Sequence, residues 1–406
     1  MTDSISTTLD LTKLSWRARM DVDATIRNDS NPLGELKRTS FEPSIQKSPM
    51  ANTLTKWLVR NQKDSEGYFV PYSIEADLNI PNALVGHNVV HGTSVFAAAV
   101  SAFHLQRIWM ATSGVARMEL EKLTLSDMRL RGGTTVSFPQ QCHDEAAARC
   151  LVRASYDTAK ELYGEDCMKI SSTNDTVYIR RGDYKITIYN KTNHSRCAFK
   201  SGAPVRSILE VSPSIVRVEV KLHERFLRKH GLLSVEAWRN AYAEGLYKKL
   251  FDETVRKTFR LENGGLRHKA PRPEVFSKLT ETEAHILHGY LAGRDPRKSK
   301  TVMESARPSN RFYELRKALL DKAQVDIDIP WATHKRLRCF ELVETLRYQG
   351  DSEPAPMFAD WSFCRSNWVA LQESMYELYE EAIALAEAKA LAKATTALAV
   401  MRQADA

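Results

Sequence analysis

Strict alternation of apolar and charged residues is the feature that most constrains this chain. In IVRVEVKL (residues 215–222) every second residue from Val216 onward is apolar, and the residues between are charged. Because strand side chains alternate between the two faces of a sheet, this segment predicts a strand with one core face. Its other face presents Arg217, Glu219 and Lys221.

The stretch TVYIRRGDYKITIYNK (residues 176–191) predicts two further strands joined by a turn. In the second of these, Tyr184 shares the parity of the isoleucines and belongs to the core face. Tyr189 has the opposite parity, which it shares with Lys185, and Lys191 is its neighbour on the same face. A tyrosine hydroxyl is a poor nucleophile at neutral pH and becomes an effective one beside a cation or a metal. Tyr189 and Lys191 are therefore candidate catalytic residues.

A third alternating segment, VARMELEKL (residues 115–123), predicts a strand whose polar face carries Arg117, Glu119 and Glu121. Three strands of one design predict an α+β fold, in which helices cover one face of an antiparallel sheet and the other face is charged. By pattern alone, the charged residues equally fit ordinary solvated cross-strand ion pairs.

Carboxylates that converge on one sheet face can hold Mg²⁺ or Mn²⁺, since both ions prefer oxygen ligands. Glu119 and Glu219 are the candidate metal ligands, and His87 of GHNVVHGT is a third. For His87, a turn histidine that is hydrogen-bonded to backbone is the commoner case. A metal beside Tyr189 would polarise a phosphodiester, and Lys191 would offset the developing charge, so that a covalent phosphotyrosine would form.

The length of 406 residues predicts at least two domains. Residues 1–50 are polar, with one edge strand predicted at 16–26. Residues 51–233 contain the alternating strands, together with helices predicted at about 94–110 and 145–162. Residues 234–366 show helical signals, and residues 367–406 are an Ala- and Glu-rich helix.

In the helical part, Thr280 and Glu283 have the spacing of a capping box. Helices predicted at 311–322 and 333–347 are rich in basic residues. Such a pair occurs in DNA-binding helix-turn-helix units, although plain helix packing is the commoner cause. Arg311 and Arg316 are the candidate DNA ligands here, and Arg117, Lys185 and Arg217 are those of the predicted strands.

The net charge of +8 and the pI near 9.0 favour a polyanionic partner. The six cysteines form no CxxC pair, which indicates reduced thiols in a cytosolic compartment. No apolar run approaches the roughly 20 residues of a membrane span, and no signal peptide is recognisable. We therefore expect a cytoplasmic protein without a membrane partner. No Walker loop or GxGxxG motif supports nucleotide hydrolysis.

Four motifs in series resemble the gene II replication proteins of filamentous bacteriophages. They are GHNVVHGT, VARMELEKL, TVYIRRGDYKITIYNK and SIVRVEVKLHERFLRKHGL, and they occur in the order and spacing of that family. The resemblance covers residues 67–233 and, more faintly, 311–346. It implies a rolling-circle nuclease-like domain that nicks one strand of a double-stranded origin through a 5′-phosphotyrosine and later rejoins the displaced single strand into a circle.

The resemblance also implies site residues and partners. The family's nucleophile lies in a Tyr-x-Lys strand, which matches Tyr189 and Lys191. Its Arg-aromatic-Glu strand matches Arg217 and Glu219, with a valine between them, and Glu119 stands where the family usually has Asp. The implied cofactor is Mg²⁺ or Mn²⁺. The implied partners are origin DNA, displaced single-stranded DNA and the host helicase and polymerase, in the cytoplasm of a bacterial host, with an oligomer on DNA as an option.

Two other functions fit the residues less well. The helices at 311–347 could make the chain a non-catalytic DNA-binding regulator of replication or transcription, for which binding without cleavage is expected. A structural protein with a basic groove is disfavoured, because polar faces recur at matched positions on three predicted strands.

Overall fold

The computed structural model describes residues 2–29, 56–80, 94–164, 166–170, 176–190, 214–261, 273–332 and 346–348, apart from single positions inside these ranges (113, 143, 242 and 324), together with residues 384 and 388. This part of the chain is an α+β fold built on one open antiparallel sheet, as the alternating segments predict.

Eight strands lie side by side in the order β2-β3-β1-β5-β9-β8-β7-β6, and a ninth, β4, pairs with the second half of β1. The strands are β1 Thr2–Asp10, β2 Lys56–Lys63, β3 Phe69–Leu78, β4 Met128–Leu130, β5 Thr135–Gln141, β6 Met168–Ile170, β7 Thr176–Arg180, β8 Tyr184–Asn190 and β9 Ile215–Leu222.

The α-helices are α1 Trp16–Asp29, α2 Val95–Thr112, α3 Arg117–Leu120, α4 Glu145–Tyr163, α5 Glu224–Lys229, α6 Leu246–Phe251, α7 Lys257–Phe259, α8 Glu281–Leu291, α9 Lys300–Met303 and α10 Pro308–Ala323. A π-helical turn, Asp252–Arg256, joins α6 to α7. Within the described residues, no helix is long and apolar enough to cross a bilayer.

One hydrophobic core lies between the sheet and the helices. The apolar residues of β8 and β9 are buried in the same cluster as side chains of α1, α2, α4 and α6. Ala148 and Val152 of α4 are buried against this face, and Asp144 caps the helix by accepting a hydrogen bond from the Ala147 amide at 2.7 Å. The predicted helices at 94–110 and 145–162 are confirmed, and the Ser94 hydroxyl caps α2 by accepting a hydrogen bond from the Ala97 amide at 3.0 Å.

The N-terminal residues form part of this sheet. β1 lies between β3 and β5, so the core extends across the predicted boundary at residue 50. The strand predicted at 16–26 is wrong, because this segment is the helix α1. Leu14, Ala18 and Val22 are buried at a spacing of four, and the Ser15 hydroxyl accepts a hydrogen bond from the Ala18 amide.

The strand predicted at 115–123 is also wrong. Residues 117–120 form the short helix α3, in which the amides of Glu119 and Leu120 both donate to the Ala116 carbonyl. Val115, Leu120 and Leu123 are the buried positions, whereas Met118, which the alternation assigns to the core, is 77% exposed. The segment is therefore not one of the strands of the sheet.

Two breaks in the strand pattern have local causes. Pro71, which the sequence confines to an edge or a bulge, lies beside an irregularity where Asn61 pairs with Pro71 but Arg60 pairs with Ser73. Between β4 and β5, Gly133 has φ +126, and a Cβ there would lie 2.4 Å from Ser6 Oγ. Only glycine fits this crossing without rearrangement.

The helical segment (residues 273–332) has a smaller hydrophobic cluster of its own, which is centred on Leu287, Phe312 and Leu319. The predicted capping box is confirmed: the Thr280 amide donates to the Glu283 carboxylate, and the Glu283 amide donates to the Thr280 hydroxyl. The predicted helix at 311–322 corresponds to α10. The helices predicted at 333–347 and 367–401 lie outside the described residues, apart from a few isolated positions.

Candidate active site

The polar face of the sheet is organised in rows that run across neighbouring strands, because directly paired residues point to the same side. Three rows follow one another along the strands. The first contains Arg180, Lys185 and Lys221; the second contains Tyr178, Thr187 and Glu219; the third contains Thr176, Tyr189 and Arg217. We call the first of these the cationic row.

A hydrogen bond joins the second row to the third. The Tyr189 hydroxyl donates to Glu219 Oε1 at 2.5 Å. Tyr189 is 6% exposed and Glu219 is half-buried, so the bond is largely screened from solvent. A phenol that is hydrogen-bonded to a carboxylate already has the acceptor for its proton in place, which is the arrangement that an activated nucleophile requires.

The parity assigned to the two tyrosines of β8 is confirmed. Tyr184 lies on the core side, where its hydroxyl is 3.0 Å from Thr258 Oγ1 and its ring packs edge-on against Phe226. Tyr189 lies on the polar face, directly opposite Arg217 of β9. The Tyr189 hydroxyl therefore lies among the polar rows, whereas the Tyr184 hydroxyl bonds to the helical layer on the core side.

Arg217 is 3% exposed, so its guanidinium lies within the protein beside the Tyr189–Glu219 pair. This face of the sheet is therefore not the uniformly open surface that the alternation suggested. A guanidinium placed next to a reacting phosphate can stabilise the negative charge that develops there.

The cationic row has a different character, because its ends face solvent. Arg180 and Lys221 are exposed, and Lys185 is half-buried with its ammonium 4.4 Å above the Tyr178 ring. Burial, and then the charges of Lys221 and Arg180, lower the pKa of Lys185; Glu219 opposes this weakly. Burial is the larger cause of this shift, and the two neighbouring cations act in the same direction.

A polar cavity of about 270 Å³ lies on the same face at its β1–β3–β4 end. Two of its three arginines are paired with acids: Arg60 with Glu75 at 2.9 Å, and Arg131 with both Glu75 and Asp77. This cavity therefore contrasts with the cationic row, whose members make no ion pair with the acids that the structure describes.

The structure does not bring Glu119 to the sheet face. Its carboxylate accepts hydrogen bonds from the Ser15 amide and from Lys122 Nζ, both at 2.7 Å, and thereby ties α3 to the start of α1. These two bonds, that of Lys122 first, lower the pKa of Glu119. Arg117, a candidate DNA ligand, lies in the same short helix and pairs with Glu121 at 2.9 Å.

The two arginines of α10 are likewise engaged. Arg316 is bound to Asp326 through two hydrogen bonds of 2.7 Å, in a partly buried position. Arg311 pairs with Glu314 on the exposed face of the helix. The structure thus gives Arg316 a role in holding the helical segment together, whereas Arg311 lies at the surface.

His87 and Lys191 lie outside the described residues, so their predicted roles are not tested by the structure. Within the described ranges, no group of three or more His, Cys, Asp or Glu side chains is placed to hold a metal. The predicted ligand set is therefore not assembled in this part of the chain, since Glu219 is on the sheet face and Glu119 is not.

Sequence reasoning missed two features of this site. Arg180 was not singled out, although TVYIR alternates so that Tyr178 and Arg180 share a face. Glu219 was assigned to a metal, and its direct bond to the tyrosine hydroxyl was not foreseen.

Searches against protein-family models, curated proteins and solved structures find no match to this chain. The function must therefore be argued from the site itself.

Proposed function

We propose that this chain is a DNA-nicking and rejoining enzyme that uses Tyr189 as its nucleophile and initiates rolling-circle replication. The proposal rests on one observation above all, the hydrogen bond from the Tyr189 hydroxyl to Glu219 Oε1 on a face rich in cations. The resemblance of this strand to the Tyr-x-Lys strand of phage initiators supports the same assignment. The fold implied is rolling-circle nuclease-like, for which the antiparallel sheet with helices on one face is a suitable frame.

The reaction is a transesterification. Tyr189 Oη attacks the scissile phosphorus while its proton passes to the Glu219 carboxylate, and the bond from phosphorus to the 3′ oxygen breaks. The 3′ oxygen takes up a proton and leaves as a hydroxyl, and the 5′ phosphate stays on Tyr189 as a diester. Rejoining is the reverse, with a 3′ hydroxyl attacking the phosphotyrosine. No external energy source is needed, because the phosphotyrosine conserves the bond.

Arg217 has the position to stabilise the charge on the phosphoryl oxygens as they become more negative, since it lies directly opposite Tyr189. A free 3′ hydroxyl at an origin is a primer for a host polymerase, so the host replication machinery is the proposed partner. The displaced single strand is the substrate of the second cut.

Mg²⁺ or Mn²⁺ is the cofactor that the resemblance implies. The carboxylate of Glu219 is the ligand type that both ions prefer, but the second predicted carboxylate lies elsewhere. The assay therefore includes each ion in turn, and EDTA as a third condition.

The decisive experiment is to trap the adduct. A supercoiled plasmid that carries the intergenic DNA of the replicon encoding this chain is incubated with the protein, and products stable to SDS are resolved on gels. We expect nicked circles with protein attached, and we expect peptide mapping to place the DNA on Tyr189. The Tyr189→Phe variant should form no detectable adduct, a loss of at least about 10³-fold, because the nucleophilic oxygen is removed.

Tyr184→Phe is the matched control on the same strand. Its hydroxyl bonds to Thr258 in the core, so we expect a loss of roughly 1 kcal/mol in stability and normal adduct formation. An adduct that persists in Tyr189→Phe would show that another residue is the nucleophile. DNA binding without cleavage under every metal condition would instead favour the non-catalytic regulator.

A further inference from the structure

Three cations stand side by side on neighbouring strands of the polar face. Arg180 of β7 is directly paired with Lys185 of β8, and Lys185 is directly paired with Lys221 of β9. Directly opposite residues of an antiparallel pair have Cβ atoms about 4.5–5.5 Å apart. The cationic row therefore places three positive charges along a line of roughly 10 Å, which is two interstrand spacings.

The described part of the chain places no acidic partner on these three cations. None of the three makes an ion pair within the part of the chain that the structure describes. The described acid that acts on Lys185 is Glu219, in the next row, and its carboxylate accepts a hydrogen bond from the Tyr189 hydroxyl. The lowered pKa of Lys185, due to burial and to its two cationic neighbours, is consistent with this geometry.

Like charges placed directly opposite one another destabilise a sheet. A row of three therefore lowers the stability of the folded chain unless an external anion compensates for it. The length of the row exceeds a single phosphate group, and two of its members are exposed, so the fitting ligand is an extended polyanion. Lys169, exposed and paired with Tyr178 in the adjoining row, widens the same surface.

The cationic row lies on the same face of the sheet as the candidate nucleophile, Tyr189. Lys185 and Tyr189 lie on the same strand and the same face, four residues apart, which corresponds to roughly 13 Å. A strand whose scissile phosphate is at Tyr189 would have phosphates a few positions away within reach of the cationic row.

We propose that the cationic row of Arg180, Lys185 and Lys221 is a binding subsite for the phosphodiester backbone of a single nucleic-acid strand that passes over Glu219 and Tyr189. The identification of that strand as DNA rests on the proposed function. The binding itself requires only the three cations and not the chemistry at Tyr189.

The test measures binding without cleavage. Fluorescein-labelled dT20 is titrated with the full-length protein in EDTA, and the affinity is followed by anisotropy from 0.05 to 0.5 M salt, a range of about one decade. The variant Arg180→Gln, Lys185→Gln, Lys221→Gln should lower the slope of log K against log salt by about 2, since each phosphate contact contributes about 0.7 for single strands. If the affinities converge near 1 M salt, this slope corresponds to about 100-fold weaker binding at 0.1 M.

The matched control removes the same charge from the opposite side of the sheet. Lys248, Lys249 and Lys257 are exposed on the helices that cover the apolar face. The triple Lys→Gln variant at these positions should change the slope by less than about 0.5. Equal losses in the two triple variants would overturn the proposal, because they would show a response to net charge alone.

Folding is checked by thermal melting. Because the row repels itself, its triple variant should melt at the same temperature as the wild type or higher. If that variant does not fold, the single change Lys221→Gln at an exposed position should still lower the slope by about 0.7. A slope unchanged in a folded variant would overturn the subsite.

The two proposals fail separately. If dT20 binds through the row but no adduct forms on any DNA, the nicking function is wrong and the subsite stands. If the adduct forms on Tyr189 while the row variant binds dT20 like the wild type, the subsite is wrong and the nicking function stands.

Discussion

The sheet face and the helical segment use basic residues in opposite ways. On the sheet, the cationic row holds three positive charges abreast without a described ion pair. In the helical segment, nearly buried carboxylates are each paired with cations. Asp328 pairs with Arg297 and with Arg149 of α4, Asp326 pairs with Arg316, and Glu283 pairs with Lys322.

The difference separates charge that is used for folding from charge that is available for binding. Side chains of Asp326 and Asp328 are less than 10% exposed, so their arginine partners compensate for burial and have little freedom to bind DNA. The cationic row lowers stability and so is expected to serve a ligand. A basic composition alone would not distinguish the two regions.

Glu219→Gln tests the sheet face and should have the largest effect. Glutamine keeps the shape and can still accept a hydrogen bond, but it cannot take the Tyr189 proton. We expect the rate of adduct formation to fall by about 10²–10⁴-fold, with dT20 affinity unchanged. The residual rate should rise with pH toward about 10, where a phenol ionises without help.

A magnesium titration of the same variant distinguishes a base from a metal ligand. If Glu219 acts on the tyrosine proton, the Mg²⁺ concentration for half-maximal rate stays the same as in the wild type. A large increase in that concentration, without recovery at high pH, would assign Glu219 to a metal instead. The control for both outcomes is Glu244→Gln, which changes an exposed glutamate outside the rows.

Asp328→Asn tests the helical segment and should affect stability instead of chemistry. Asp328 accepts from Arg297 and from Arg149 of α4, so it ties the helical segment to the helices that cover the sheet. Removing its charge takes the carboxylate away from Arg297 and leaves Arg149 paired with Glu145 alone. We expect a loss of about 2–3 kcal/mol in the free energy of unfolding, measured in urea, with normal dT20 binding.

The difference in the free energy of unfolding between the wild type and Asp328→Asn should depend on pH, and the direction of this dependence follows from the pKa of Asp328. Burial alone would raise the pKa of Asp328, but the hydrogen bond from Arg297 and the charges of Arg149 and Arg316 outweigh it, and the pKa lies below its ordinary value of 3.8. A carboxylate whose pKa is lower in the folded state contributes its full stabilisation at pH values above its pKa in the unfolded state. That contribution is lost as the pH falls through its pKa in the folded state. The gap between wild type and Asp328→Asn should therefore shrink below about pH 4. A gap that is constant from pH 7 to pH 3 would exclude a charge effect.

The true strands were predictable where the alternation coincides with β-branched residues. IVRVEVKL and TVYIR contain Ile and Val at the core positions, which suit a pleated, half-buried surface, and both are strands. VARMELEKL alternates as cleanly but consists mainly of good helix formers, with charge pairs at helical spacing such as Arg117 with Glu121. Weighing propensity together with parity would have indicated a helix there.

Strand β1 could hardly be predicted, because TDSISTTLD reads as polar. Its serines and threonines are buried between strands on both sides, with Thr2 and Thr7 at 0% exposure. The Tyr189–Glu219 bond was out of reach for a different reason. Parity places both residues on one face, but their contact depends on the register between β8 and β9, and no local pattern fixes that register across the intervening 24 residues.

Glu119→Gln gives the smallest effect and tests the sequence-based assignment most directly. In the structure the Glu119 carboxylate accepts from the Ser15 amide and from Lys122, and glutamine would keep one acceptor and lose the charge. We expect about 0.5–1 kcal/mol of lost stability and full adduct formation. Glu121→Gln, whose carboxylate is 54% exposed in its pair with Arg117, should change stability by less than about 0.5 kcal/mol. If Glu119→Gln retained its stability but formed no adduct, the Glu119 carboxylate would take part in the chemistry of the sheet face. The charges of α3 would then belong with those that serve binding and not with those that serve folding.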